Sequence, residues 1–403
     1  MISVSAATKL AWMDEKSTKE YEISVEWHGL TDVYGNSDIK KDSINISASI
    51  MQSDAIKFGG CIARKLEVVF AGPWDLSGNY SEFPISLRAR ANGTDWIPLF
   101  TGTTVSVEVE ENGVLAKYTA YDDFYRLSNV DSKFNTWSSV SGSYLPMFGV
   151  LEDFCQYFDI TIDQSAVFEN GAKVIKTAKQ VENVNGTDFL KNLCELNGCF
   201  GMLDGEGKFK TIYLDPEASG TTITQYSGFL KKSGCFGMDQ ICMRPTAESE
   251  SVMCPDGTTG DHVYVIQENP FIITETTGYL IDITDNKLYQ IADKILDGNY
   301  CAWDDTTIIP FEAEQKAMPW LECGDKVKYY DAKTDTYIES YILSWTFKGD
   351  QACKNTFAAE IKEDLGPFVP QPSDKQRDVM YSLVDISNGD ELATGSIYLV
   401  YEN

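Results

Sequence analysis

Histidine is nearly absent from this chain of 403 residues: only His28 and His262 occur, far apart in sequence. That scarcity removes most imidazole-based catalysis and metal binding, because histidine is the usual base near neutral pH and a common zinc ligand. No HExxH, GxSxG or P-loop pattern is present, and no EF-hand calcium loop. Lysine and arginine are also in short supply, 33 against 61 aspartates and glutamates, for a formal charge of −28. A chain so acidic lacks the general basic surface that grips nucleic acid through its phosphates. No apolar run approaches the roughly 20 residues that a membrane-spanning helix needs. The first residues, MISVSAATKLAWMDEK, carry no basic flank ahead of their apolar positions, so they do not read as a signal peptide, and synthesis and assembly in a cytoplasm are expected.

The ten cysteines include no CxxC pair and sit mostly in apolar or strand-like surroundings, among them Cys61, Cys155, Cys194, Cys199, Cys235, Cys242, Cys301 and Cys323. They read as small buried hydrophobes, with free thiols expected at most or all ten. A Cys–His nucleophilic pair stays formally open because many combinations exist. His28 follows Trp27 at a strand end and reads as structural, whereas His262 opens a strand beside Asp261 at a more exposed position. The acidic pairs Asp122-Asp123 and Asp304-Asp305 invite comparison with a glycosidase, which needs two carboxylates facing one bond. Neighbours in a strand point to opposite faces, so neither pair supplies that arrangement alone. No catalytic, cofactor-binding or metal-ligating residue is therefore assigned, and no cofactor is expected.

What is present is a large apolar share, 43% hydrophobic and 12% aromatic, enough to rule out disorder and to fill several cores. Residues 1–131 read as β throughout. Tyr21 to Trp27 and Ile44 to Ile50 alternate cleanly, and Phe58-Gly59-Gly60-Cys61 leads to a strand from Ala63 to Phe70. Val105, Val107 and Val109 alternate with polar residues up to Asn112-Gly113, a pair suited to a type I′ turn, and Val114 to Thr119 returns. Residues 132–216 shift towards helix: Leu151, Phe154, Cys155 and Phe158 share one helical face. Thr187 is positioned to cap a helix with Asp188 in its first turn; Phe189, Leu190, Leu193, Cys194 and Leu196 line that helix, and Asn197-Gly198 ends it. A hairpin follows, Cys199 to Leu203 and Lys208 to Leu214, turning at Asp204-Gly205-Glu206-Gly207. Residues 217–366 return to β, with strand-like runs at Phe236–Met243, Thr306–Ala313, Leu321–Val327 and Tyr337–Phe347, a polar loop at Thr246–His262 and a helical stripe from Leu288 to Leu296. Residues 367–403 open on Pro367-Phe368-Val369-Pro370-Gln371-Pro372-Ser373, a semi-rigid linker, and close on the apolar run Ser396 to Tyr401.

Several of these stretches resemble one family. Leu193-Cys194-Glu195-Leu196-Asn197-Gly198-Cys199-Phe200-Gly201, followed by Asp204 to Lys210, is similar to a signature of tail hub proteins of phages and prophages of Gram-positive bacteria, a group that includes the prophage endopeptidase tail proteins. Phe58-Gly59-Gly60-Cys61, Ala120-Tyr121-Asp122, Asn269-Pro270-Phe271-Ile272 and the Gly324-Asp325-x-Val327 turn resemble further markers of that family, and the likeness covers residues 20 to 364. It implies an α+β, mainly β fold. Two tube-like β-barrel domains, 1–131 and 217–366, would flank an α/β domain at 132–216, with a further α/β segment inserted at about 247–302. It implies a homotrimer forming a pseudo-sixfold ring at the distal end of a tail tube, without stable membrane association. Partners would be the tail tube or distal tail protein, the tape measure protein, a tip fibre or spike, and DNA in transit. The acidic charge then has two readings, a solubilising surface or a channel wall to which passing DNA does not adhere. Two other functions stand beside the hub: a tail-associated peptidoglycan hydrolase and a carbohydrate-binding receptor module. Many relatives continue beyond this point into fibres or wall-degrading domains, so endopeptidase activity is not expected of this chain.

Overall fold

The computed structural model describes residues 2–51, 57–74, 82–110, 113–129, 144–176, 185–215, 217–224, 226–231, 240–244, 263–267, 269, 271, 295, 308–331, 334–349 and 353–359. The described residues are mainly β, 45% strand and 15% helix. Its first part runs α1 (Ala6–Met13), β1 (Lys19–Trp27), β2 (Leu30–Tyr34), β3 (Ile44–Ser49), β4 (Lys65–Ala71), β5 (Pro84–Ala91), β6 (Ile97–Val109) and β7 (Leu115–Tyr121). The middle part comprises α2 (Asp123–Ser128), β8 (Tyr144–Pro146), α3 (Met147–Tyr157), β9 (Val174–Lys176), α4 (Gly186–Glu195), β10 (Phe200–Leu203) and β11 (Phe209–Ile212). The last part holds β12 (Thr221–Ile223), β13 (Tyr226–Lys231), β14 (Gln240–Arg244), β15 (Val263–Gln267), β16 (Phe311–Lys316), β17 (Lys326–Asp331), β18 (Thr336–Tyr341), β19 (Ser344–Gly349) and β20 (Lys354–Ala359).

Both ends of this order meet in one eleven-stranded sheet, β13-β16-β20-β19-β3-β4-β7-β6-β5-β1-β2, in which every neighbouring pair is antiparallel. The decisive join is β19 to β3, with Ser344 opposite Ser49 and Phe347 opposite Ile46. Alternation dictates one buried face: Tyr21, Ile23 and Val25 from β1, Ile44 and Ile46 from β3, Leu66, Val68 and Phe70 from β4, and Trp345 and Phe347 from β19. The sheet curls enough to bring distant strands together over this face. Tyr21 Oη lies 2.6 Å from Cys353 Sγ, although β1 and β20 stand near opposite ends of the strand order, and Trp12 of α1 meets Phe347 edge-on at 6.4 Å. The two tube-like barrels are not confirmed: no closed barrel is found among the described residues, where strands from residues 1–131 and 217–366 share one continuous sheet and one core.

Turn chemistry fits the hairpins. His28 and Gly29, at φ 45° and 84°, form the two-residue link between β1 and β2, and positive φ at both positions is what such a tight hairpin demands. The β6–β7 hairpin turns where its sequence requires, with Gly113 at φ 66°; Asn112 lies outside the described residues. So do the Leu288–Leu296 stripe apart from Ile295, the Thr246–His262 loop, and the linker and terminal run at 367–403. The α1 helix was not read from sequence, yet its cap is ordinary: Ser5 accepts a hydrogen bond from the Thr8 amide at 3.1 Å.

Cys61, Cys155, Cys194, Cys199, Cys323 and Cys353 carry free, buried thiols, as their apolar settings suggest. Cys242, buried on β14, is disulfide-bonded. Burial pushes the Cys155 and Cys323 thiols up to about 12 each. At neutral pH such thiols hold on the order of a thousandfold less thiolate than an exposed cysteine. Native protein is therefore expected to leave these two unmodified by a maleimide over hours, with rapid labelling in denaturant. Fast native labelling at Cys155 or Cys323, read by peptide mass spectrometry, would contradict their placement.

Candidate functional site

The helix α4 and the β10–β11 hairpin form the centre on which other segments converge. Asn185, rather than Thr187, caps α4: its side chain accepts from the Asp188 amide at 2.8 Å. The Thr187 hydroxyl instead donates to the Phe124 carbonyl at 2.9 Å, tying α4 to α2. Phe189 stacks on Phe154 of α3 at 4.9 Å and meets Phe271 edge-on at 5.0 Å. Gly198, at φ 61°, ends the helix and rests against Ile295.

Residues 58–61 dock against this unit through backbone hydrogen bonds and through the Phe58 ring, 5.7 Å from that of Phe200. Gly59 donates to the Cys199 carbonyl at 2.9 Å and accepts from the Gly201 amide at 3.2 Å. A Cβ at Gly59 would lie 2.7 Å from the Lys191 carbonyl oxygen, and one at Gly60 would overlap the Ile50 carbonyl. The hairpin tip presses equally close on β6: a Cβ at Gly205 would overlap the Pro98 carbonyl, and Thr101 Oγ1 donates to the Gly205 carbonyl at 2.9 Å. Chain approaches this tight leave room for hydrogen only.

Three buried charges brace the same centre. Arg64, immediately before β4, donates from Nη1 to the Leu203 carbonyl at 3.2 Å and from Nη2 to the Leu99 carbonyl, and its guanidinium lies 5.6 Å from the Trp345 ring centre. Glu195 of α4 accepts from Tyr264 Oη and from Asn269 Nδ2, both at 2.9 Å, and so fastens the segment after β14 to the helix. Burial raises the Glu195 pKa, while these two donors pull it down. Glu322 pairs with Lys210 at 2.6 Å; burial works to raise its carboxyl, but the Lys210 ammonium outweighs it and the pKa lies below the ordinary value.

The residues weighed for catalysis that the structure describes do not come together. His28 is spent in the β1–β2 turn, edge-on to Phe83 at 5.2 Å. Asp122 caps α2, accepting from the Phe124 amide at 3.1 Å and the Arg64 amide at 3.0 Å, while Asp123 faces outward to Arg126. The two carboxylates thus serve different structural tasks. His262, Asp304 and Asp305 lie outside the described residues. Among the described residues no group of three or more His, Cys, Asp or Glu side chains could hold a metal ion. A half-open cavity of about 600 Å³ lies where α1 and the start of β1 face β13, β16 and β20.

Burial pushes the Asp122 pKa up to about 7, against the pull of the Arg64 amide and guanidinium. The native state thus holds this proton up to near pH 7, whereas the unfolded chain releases it near pH 4. Stability from this group is full below pH 4 and falls by at most about 1.4 kcal/mol per pH unit from there to pH 7, then levels. In Asp122→Asn protein that component of the slope should vanish. Parallel urea-stability profiles for wild type and variant between pH 4 and 8 would contradict the assignment.

Comparison with solved structures follows from this geometry. A prophage MuSo2 43 kDa tail protein from Shewanella oneidensis matches with a TM-score of 0.50 at 11% identity, over 84% of this chain and 97% of that one. The chain has a prophage tail-protein fold. Two further tail proteins superpose less closely: one from Neisseria meningitidis MC58, at TM-score 0.48, 11% identity and 84% and 95% coverage, and gp18 from Listeria monocytogenes EGD-e, at 0.45, 9%, and 92% and 100%. No protein-family model and no curated protein matches the sequence. At such identities the fold is shared while side chains are not.

Proposed function

We propose that this chain is a structural component of a phage or prophage tail, the hub that closes the distal end of the tail tube. The observation that carries the reading is the shared fold over nearly the whole of a prophage tail protein, beside the hub-like signature borne by the α4–hairpin unit. In this reading three copies form a ring, each contributing a tube-like segment from residues 1–131 and another from 217–366. The sixfold tube then meets threefold tip structures. The neighbours are a tail tube or distal tail protein, the tape measure protein and a fibre or spike. The ring wall is net acidic or neutral, so that DNA slides past without phosphate contacts.

A non-enzymatic role agrees with Asp122 and His28 being committed to a helix cap and a turn. Zymography on purified cell walls tests this part: no clearing is expected, and clearing that survives removal of co-purifying hydrolases would restore the peptidoglycan-hydrolase reading.

A further inference from the structure

We infer that the outer face of the β17–β18 hairpin is a docking surface for an extended, proline-rich segment of this same chain, residues 363–372. Alternation sets that face apart. Val327, Tyr329, Ile338 and Ser340 are buried, so Lys328, Tyr330, Tyr337 and Glu339 stand on the opposite side. Tyr330 lies directly opposite Tyr337 in the strand register, and their rings meet at 5.5 Å. Both stay open to water, at 40% and 56% exposure. Two touching tyrosines left open in this way form an apolar patch with polar tips, the kind of surface on which proline-rich chains dock.

The chain carries its own occupant. Residues 360–403 lie outside the described residues, and they include Glu363-Asp364 followed by Pro367-Phe368-Val369-Pro370-Gln371-Pro372. Proline fixes φ near the polyproline II value before any contact is made, so docking such a segment costs little chain entropy. Ala359, the last residue of β20, is placed for the approach. The Leu343 amide donates to the Ala358 carbonyl at 2.9 Å, and Leu343 follows the end of β18 by two residues. Four residues of chain, about 13 Å, separate Leu343 from Glu339, which stands opposite Lys328. The five residues from Ala359 to Asp364 span up to about 17 Å when extended, so Asp364 reaches Lys328.

Charge sets the direction. The base of the face holds two lysines against one glutamate: Lys326 and Lys328 contact Glu339 at 3.2 and 2.6 Å. The tip carries Asp331 and Asp335, the latter accepting from Tyr330 Oη at 2.6 Å. An acidic pair is therefore drawn to the base, near where the chain leaves β20, and repelled from the tip. Beyond Lys328 the base is covered, with Tyr341 Oη donating to the Asp215 carbonyl at 2.9 Å and Gly220 resting on the Lys328 stem. The tyrosine pair lies two residues from Lys328 the other way, about 7 Å along the strand. Pro367 follows Asp364 by three residues, about 9 Å in polyproline II. Acid then proline along the chain thus matches lysine then tyrosine along the hairpin.

The test uses the full chain and a fluorescent peptide of residues 362–373. In wild-type protein the tethered segment holds the surface at an effective concentration on the order of millimolar, which shuts out the free peptide. Replacing Pro367, Pro370 and Pro372 with serine in the protein should open the surface, so that this variant binds the peptide at least tenfold more tightly than wild type does. Adding Tyr337→Ala, at an exposed position, should weaken that binding at least fivefold. A peptide carrying Glu363→Gln and Asp364→Asn should bind more weakly at low salt and lose the salt dependence of the native peptide. Equal binding to wild type and the proline variant, no binding to that variant at millimolar peptide, indifference to Tyr337→Ala, or a salt dependence that the amides leave unchanged would overturn the inference. Self-association of wild type that the proline substitutions abolish, read by sedimentation, would also overturn it, assigning the surface to the segment of a second copy.

Discussion

Replacing Gly60 with alanine is expected to destabilise the protein by about 3 kcal/mol or more, enough to consume much of the stability of an ordinary domain. The new Cβ would overlap the Ile50 carbonyl oxygen and lie 2.8 Å from Phe200, and neither can retreat. Ile50 is buried and its amide is bonded to the Leu343 carbonyl at 2.9 Å, so moving it disturbs the β3–β19 join. Gly93 supplies the control: its φ of 68° is equally unfavourable for alanine, but nothing lies within 4 Å. Gly93→Ala should cost only about 1–2 kcal/mol, the strain of a left-handed residue. Urea denaturation of the two variants separates crowding from backbone strain. Similar midpoints would mean that the approach of residues 58–61 to the helix–hairpin unit is misplaced.

Removing the Arg64 guanidinium is expected to cost about 3–5 kcal/mol, as for other buried charges whose partners are left behind. Arg64→Leu would strand the Leu99 and Leu203 carbonyls in the core, where each lost partner carries a desolvation penalty. Arg64→Lys should recover little, since one ammonium cannot reproduce the fork that reaches two carbonyls. The comparison is Arg90→Leu, which breaks a half-exposed pair with Glu20 at 2.6 Å and should cost under about 1 kcal/mol. Should thermal or chemical unfolding place the Arg64 and Arg90 variants within error of each other, Arg64 does not join β4, β6 and the hairpin.

Local periodicity made much of this fold legible. Clean alternation in Tyr21–Trp27 and Ile44–Ile50 gave strands with one buried face, and the Phe189–Leu196 stripe gave the buried helix α4. Glycine at 59, 60, 198 and 324 marks places where chains approach closely or turn, which local sequence flags without naming the partner. Long-range pairing was not legible: nothing in residues 44–49 announces that they will meet residues 344–349 in one curled sheet. The cap of α4 was misplaced by two residues because Asn185 and Thr187 are both competent, and the tertiary bond from Thr187 to Phe124 decides between them. Arg64 passed unnoticed for a similar reason. A lone arginine before a strand looks solvent-exposed until the carbonyls of distant segments close around it.

The proposed ring at a tail's distal end can be tested by one image. In a chain-resolved cryo-electron microscopy map of the assembled particle, three copies of this chain are expected around the axis at the end of the tail tube, with residues 186–214 at the centre of each. Absence of the chain from the particle, or a single copy or six copies at that level, would contradict the tail-hub assignment.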